Sequence, residues 1–441
     1  MWLQNTSMCV IIEIQSSIKI PDESSHFTSC EMTVFICFKK EIEVRRNWFS
    51  EYVDGEVPYE ELEKMASEGR FREWEYEAFD LVETGYEDVE DDLAKYTAEK
   101  YQKASETEQK QMIEDVLEIY RSRDVFPIKY FNELGMINEV EKVINCNLEF
   151  EGDTIMGGSG IGTALCNFLF PNLFDTPSLH DVDKKGAATC IEKWNNDEYM
   201  RRAIGFCFSY KNGSPTPTSM FAAIRLVGSS PTNFNPARAK ALYERLCPPG
   251  GTIWDMSTGF GGRLLGCLTS KNNYKYVGTD PNVESMWHTH QLAELVESVT
   301  GREDSYELHC VGSEVFRGKP ESIDFAFTSP PYFNLEIYSD DPTQCYNKFP
   351  ELDGWLEGFV RGTIKNVAYM LKKGCLYAIN IADFKDAGKD VDYVDEWCRI
   401  SAEEGMPLFD RVYLGVPARA GSAQQKAGEV KRENILVFKK L

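Results

Sequence analysis

The chain has only five histidines among 441 residues, and no two of its thirteen cysteines are spaced Cys-x-x-Cys. That excludes a metal ribbon or redox motif built on such pairs, and scattered thiols suit a reducing cytoplasm. His288 and His290 are two apart within a helical pattern, so they point to different sides and no shared metal is expected. No apolar run approaches the roughly 18 residues that a membrane-spanning helix needs. The opening MWLQNTSMCVIIEIQSS lacks a basic stretch ahead of its apolar run, so a secretory leader is not expected. G-x-G-x-x-G, the glycine pattern preferred by a dinucleotide pyrophosphate, is absent too. Basic charge is in deficit: 47 Lys and Arg face 71 Asp and Glu, a net charge of −24. This weighs against a sequence-blind nucleic-acid binder.

The acidity is uneven. Residues 51–124 hold 24 acids and 9 bases, a local charge of −15. Their apolar residues recur at three and four, in PYEELEKMASEGRFREWEYEAFDLVE and SETEQKQMIEDVLEIYRSR. The spacing predicts amphipathic helices with a solvated acidic face, the second capped by Ser105 and Glu108. Residues 1–42 alternate apolar and polar, as a hairpin or an extension would. Residues 43–230 read as a mainly helical accessory region. Within it, Gly157-Gly158-Ser159-Gly160-Ile161-Gly162 has neither a clear preceding strand nor the phosphate-loop lysine, and reads as a loop before an apolar helix. The Pro- and Ser-rich VGSSPTNFNP marks the boundary.

From residue 231 the pattern changes. GTIWDMS, KYVGTDPN, YELHCVGS, SIDFAFTSPP and GCLYAINIADF read as strands separated by helical stretches. PARAKALYERL is a helix that starts with Pro236. LFDRVYLGV and ENILVFKK follow one another with no helix between. This alternation predicts an α/β fold, a doubly wound and mostly parallel sheet with an antiparallel edge pair at its end.

Two strand ends carry chemistry. Asp255-Met256-Ser257-Thr258-Gly259-Phe260-Gly261 follows the first strand, where glycines let the backbone approach a ligand. Asp280-Pro281 follows the second, and an acid there can accept both ribose hydroxyls. A glycine turn and an acid at this spacing indicate a nucleoside cofactor without deciding which. The fourth strand ends in Thr328-Ser329-Pro330-Pro331-Tyr332, where two prolines remove two donors, fix two φ angles and leave a stiff loop at the strand's carboxyl end.

In this order, these motifs resemble the S-adenosylmethionine-dependent amino-methyltransferases of DNA, over residues 230–441. In that family a loop of the TSPPY type holds the target base, and its Ser form goes most often with cytosine N4. The stretches DMSTGFGGRLLG, TSPPYFNLEIYS and KFPELDGWLEGF are also similar to phage-encoded methylases. The resemblance implies a Rossmann-like domain over 231–441, S-adenosyl-L-methionine as cofactor, no metal, and DNA as partner with RNA still open. It implies a location in a prokaryotic or phage-infected cytoplasm. It assigns Ser329, Pro330, Pro331 and Tyr332 to catalysis. Phe234, Asp255, Ser257, Gly259, Phe260, Gly261, Asp280 and Pro281 are assigned to the cofactor, with Ser313 or Glu314 beside its adenine. Ser329 Oγ and the Pro330 carbonyl would accept the two amine hydrogens, and Tyr332 would stack on a flipped base. Carbon methylation needs a cysteine nucleophile, commonly in Pro-Cys, and only the reverse Cys247-Pro248 occurs. Adenine N6 or an RNA amine is the alternative target, and a methylase-derived binding protein without activity is the alternative class. No basic recognition segment follows the last strand, so sequence reading would fall to residues 1–230 or to internal loops.

Overall fold

The computed structural model describes residues 55–72, 91–123, 126–158, 160–176, 188–209, 213–226, 231–333, 335, 337–386, 389–416 and 431–441. All belong to one compact unit, Phe49–Leu441. The expected hairpin or extension over residues 1–42 lies outside the described residues, as do Ser159 and residues 227–230 of the expected boundary.

Eleven strands are described: β1 (Phe150–Glu151), β2 (Thr154–Ile155), β3 (Thr252–Asp255), β4 (Lys275–Thr279), β5 (Tyr306–His309), β6 (Ile323–Thr328), β7 (Leu371–Asn380), β8 (Phe384–Asp386), β9 (Lys389–Val391), β10 (Leu408–Val416) and β11 (Lys431–Lys439). Nine form one sheet in the order β1-β2-β10-β11-β7-β6-β3-β4-β5, and β8 and β9 form a separate hairpin. The five strands β5-β4-β3-β6-β7 are mutually parallel. Their cores (Ile253, Trp254, Val277, Phe325, Phe327) are fully buried, as parallel strands covered on both faces must be. Strand order reverses between β3 and β6, the switch point at which such sheets hold ligands. This is the α/β, Rossmann-like architecture that the βα alternation predicts.

The last two strands differ from expectation in one respect. β10 and β11 pair antiparallel, yet they are not the sheet's edge. β11 inserts beside β7, with Leu436 opposite Ile379, and β10 is paired on its far side by β2, with Leu414 opposite Ile155. Residues 150–155 thus cover backbone groups that a bare β10 would leave open to solvent or another chain.

The helical residues before 230 share a core with this sheet: Val140, Val143, Leu165, Phe170 and Phe208 fall in one cluster with Ile253, Leu264 and Phe325. A buried lysine strengthens the join. Lys240, on the helix Pro236–Leu246, donates to the carbonyls of Val143, Ile144 and Cys146 at 3.0, 2.5 and 2.9 Å. Those carbonyls close the helix Glu133–Asn145, where a cation satisfies unpaired acceptors. The glycine-rich stretch braces the helix Pro236–Leu246: Gly157 and Gly158 carbonyls accept from Arg238 Nε and from Nδ2 of its N-cap Asn235 at 3.0 and 2.8 Å. Gly162, at φ 74°, opens the helix Thr163–Leu169, and a Cβ there would lie 2.7 Å from Val143. The expected cap holds as well. Ser105 N donates to Glu108 Oε2 at 2.7 Å, and the helix Glu106–Arg123 begins there. Among the described residues, no helix is long and apolar enough to cross a membrane.

Candidate active site

The turn after β3 is built on a buried carboxylate. Asp255 Oδ2 accepts from Arg263 Nε at 2.8 Å and Tyr276 Oη at 2.7 Å, while Oδ1 accepts from the Ser257 amide at 3.3 Å. Arg263 Nη2 also donates to the Ser257 carbonyl. Asp255 is fully buried and lies behind the ligand cleft, fixing the turn from beneath. Gly261, at φ 77°, is likewise set back, since a Cβ there would meet Leu292 and Phe170 at 2.6 Å. Ser257, Gly259 and Phe260 line the cleft.

Asp280, at the carboxyl end of β4, lines it too. Its Oδ2 accepts from the Gly259 amide and its Oδ1 from the Asn282 amide, both at 3.0 Å. The residue keeps some surface on the cleft and is otherwise surrounded by protein. That burial pushes its pKa up to about 6, against the two amides, which favour the ionised form.

The TSPPY loop leaves β6 where Thr328 pairs beside Ile379 of β7. Ser329 Oγ donates to the Asn380 carbonyl at 3.4 Å, leaving the hydroxyl's lone pairs to accept. The Pro331 carbonyl accepts from Tyr393 Oη at 3.1 Å. Among the described residues no donor takes the Pro330 carbonyl. Tyr332 is held at both ends: its hydroxyl accepts from the Ala382 amide at 3.0 Å, and its ring lies 5.6 Å from Tyr393 and 6.1 Å from Phe384. The Leu335 amide closes the turn on the Tyr332 carbonyl at 2.9 Å. Phe333 takes φ 47° and packs on Trp355 at 5.6 Å, a left-handed conformation unusual for so bulky a residue.

These strand ends meet in one cleft of ≈ 890 Å³. Its walls include Phe234, Ser257, Gly259, Phe260, Asp280, Pro281, Ser313, Ser329, Pro330, Pro331 and Tyr332, so of the sequence-assigned residues only Asp255 and Gly261 fall outside it. Phe234 packs on Phe327 at 5.2 Å, and its carbonyl sits so close to Gly262 that no side chain fits between. Ser313 Oγ is already paired with Thr363 Oγ1 at 2.9 Å, and Glu314 is ion-paired with Lys348 at 2.8 Å. His288 packs on Phe170, whereas His290 packs on Tyr59 and Tyr306.

The sequence reading missed three parts of the wall. Asn233 Nδ2 holds the Phe260 carbonyl at 2.5 Å. Gln344 enters from YSDDPTQCYNK, and Arg432 and Asn434 enter from the start of β11. Only the first had a local signal, beside Phe234 in NFNP.

S-adenosylmethionine fits the residues present. Asp280 offers a carboxylate on the cleft at the end of β4, the glycine turn admits close backbone approach, and the TSPPY loop lies across the switch point from both. A cleft of ≈ 890 Å³ is also of the size that encloses a nucleoside cofactor with one base.

No family model matches the chain, and no curated protein matches it. Solved structures similar to it include the TehB-like SAM-dependent methyltransferase of Corynebacterium glutamicum, 15% identical over 48% of this chain and 90% of that one, with a TM-score of 0.30. The [4+2]-cyclase SpnF is 12% identical over 46% of this chain and 81% of its own, with a TM-score of 0.32. The geranyl diphosphate C-methyltransferase of Streptomyces coelicolor, solved with Mg2+, geranyl diphosphate and S-adenosyl-L-homocysteine, is 12% identical over 46% of this chain and 79% of its own, with a TM-score of 0.32.

Proposed function

We propose that this protein transfers a methyl group from S-adenosylmethionine to the exocyclic amine of a base in DNA, with cytosine N4 as the target. The observation that carries the reading is the meeting of Ser329, Pro330 and Tyr332 with Asp280 in one cleft across the β3/β6 switch point. An exocyclic amine is a poor nucleophile because its lone pair is delocalised into the ring. Two acceptors that take its hydrogens favour a pyramidal nitrogen. Ser329 Oγ, whose own proton is directed at the Asn380 carbonyl, is one such acceptor, and the Pro330 carbonyl is the other. The Pro-Pro backbone fixes both before substrate arrives. Tyr332, clamped by Ala382, Phe384 and Tyr393, supplies a face for a base taken out of its stack. The bound cofactor supplies an electrophilic methyl on a sulfonium. As the nitrogen–methyl bond forms, the carbon–sulfur bond breaks, and the methylated nitrogen releases one proton.

Recognition of the polymer is assigned to residues before 230 and to internal loops. The test is transfer of labelled methyl to DNA, followed by mass spectrometry of the released nucleosides. N4-methylcytosine is the expected product. Label in N6-methyladenine or only in RNA would move the target, and absence of both transfer and cofactor binding would favour a non-catalytic binding protein.

A further inference from the structure

Gln344 is buried at 5% exposure on the cleft wall, yet its Nε2 has no hydrogen-bond partner among the described residues. Its backbone is fixed at three points. The Gln344 amide donates to the Asp341 carbonyl at 3.1 Å, and its carbonyl accepts from the Asn347 and Lys348 amides at 3.0 and 2.9 Å. Asp341 Oδ1 also takes the Thr343 amide and hydroxyl at 2.8 and 2.6 Å, so the turn carrying Gln344 is braced before any ligand arrives. A buried amide donor left unpaired costs about 1–3 kcal/mol, and the braced turn gives it no route to solvent.

Sheet order says which end of the cleft Gln344 borders. The reacting methyl must lie near Ser329, at the end of β6, and the proposed ribose contact is Asp280, at the end of β4. Between them stands β3, and beyond β4 stands β5. A nucleoside running from methyl to ribose in this direction continues over the end of β5, past Gly312, Ser313 and Glu314. The Gln344 turn is pinned to that loop by the Lys348–Glu314 ion pair at 2.8 Å. Gln344 therefore borders the nucleobase end of the cleft.

We infer that Gln344 is a specificity-determining residue for the cofactor's adenine, donating Nε2–H to a ring nitrogen and accepting from the 6-amino group. A carboxamide matches an adenine edge that presents an acceptor beside an amino donor, the pairing by which Gln and Asn read adenine in nucleic acids. The inference rests on the S-adenosylmethionine reading above.

The test is a two-by-two titration of the full chain. Wild type and Gln344→Leu are each titrated calorimetrically with S-adenosylhomocysteine and with its analogue bearing hydrogen in place of the adenine amino group. Each single change should weaken binding about tenfold, which is about 1.4 kcal/mol. The two together should weaken it little further, because both remove the same pairing. Equal affinities of Gln344→Leu and wild type for S-adenosylhomocysteine overturn the inference, as do losses that simply multiply. If wild type binds neither compound, the cofactor reading itself has failed. Gln344→Met replaces Gln344→Leu if the latter does not fold.

Discussion

The Gly259 amide donates to Asp280 Oδ2 across 3.0 Å, tying the glycine turn after β3 to the acid after β4. The carboxylate therefore shapes the turn as well as facing the cleft. Asp280→Ala should weaken S-adenosylmethionine binding by about 2–4 kcal/mol, through two lost ribose hydrogen bonds and a loosened turn. Calorimetric titration measures it, and an unchanged affinity would remove Asp280 from the site.

The same residue sets a pH dependence. Its pKa of about 6 in the folded protein means that this proposed ribose acceptor is ionised at pH 7 and protonated progressively below 6. Cofactor affinity should be flat above pH 7, fall between pH 6.5 and 5, and lose this step in Asp280→Asn. The stability effect of this group runs the other way. A raised carboxylate pKa means that the folded protein holds the proton more tightly than the unfolded chain does. The group therefore destabilises the ligand-free fold above about pH 6, and that effect fades on acidification.

Ser329→Ala removes one of the two proposed amine acceptors and the bond to Asn380 while keeping the Pro-Pro backbone. Single-turnover methyl transfer should slow ten- to a hundredfold, about 1.5–3 kcal/mol for a hydrogen bond that strengthens as charge develops, with cofactor affinity unchanged. Transfer at the wild-type rate would reduce the loop to a turn.

Tyr332 offers a contrast within one position. Tyr332→Ala should weaken productive base binding by about 1–3 kcal/mol, the stacking contribution of one aromatic face. Tyr332→Phe loses only the bond to the Ala382 amide and should remain within a few-fold of wild type. If Tyr332→Phe were as impaired as Tyr332→Ala, the hydroxyl rather than the ring would be the working part.

Lys240 predicts how far residues 231–441 depend on the residues before them. Lys240→Ala takes the ammonium from three carbonyls at the end of the helix Glu133–Asn145, of which, among the described residues, only that of Val143 keeps a backbone partner there, the Cys146 amide at 3.2 Å. Thermal and denaturant unfolding should show a loss of about 3 kcal/mol or more. A fragment that starts near residue 231 strands the same ammonium and uncovers β10, so it should not fold into a stable monomer.

What the sequence revealed follows from how local each signal is. The parallel strands were legible because each is a short, nearly unbroken apolar run, as in IDFAFT. The two-residue strands β1 and β2 show no period at all. The place of β11 beside β7 is a long-range pairing that no local pattern encodes. Ser329 to Tyr332 and Asp280 were readable because proline, glycine and an acid punctuate strand ends. Asp255 has the same local signature, yet its role is decided by Arg263 and Tyr276, 8 and 21 residues away. Gln344 sits among polar residues with no period to single it out, and only the fold brings it to the wall.

The reversal of β11 has a further consequence. Because β11 runs opposite to β7, its amino end, with Arg432 and Asn434, stands beside the carboxyl ends of β6 and β7. β10 ends at Val416 and β11 begins at Lys431, with β7, β6 and β3 standing between β11 and β4, the strand that ends in Asp280. One wall of the cleft is thus set by a strand that β7 and β6 separate from β3 and its glycine turn. Substitutions at Arg432 or Asn434 can then reshape that wall while leaving the turn that Asp280 holds as it is.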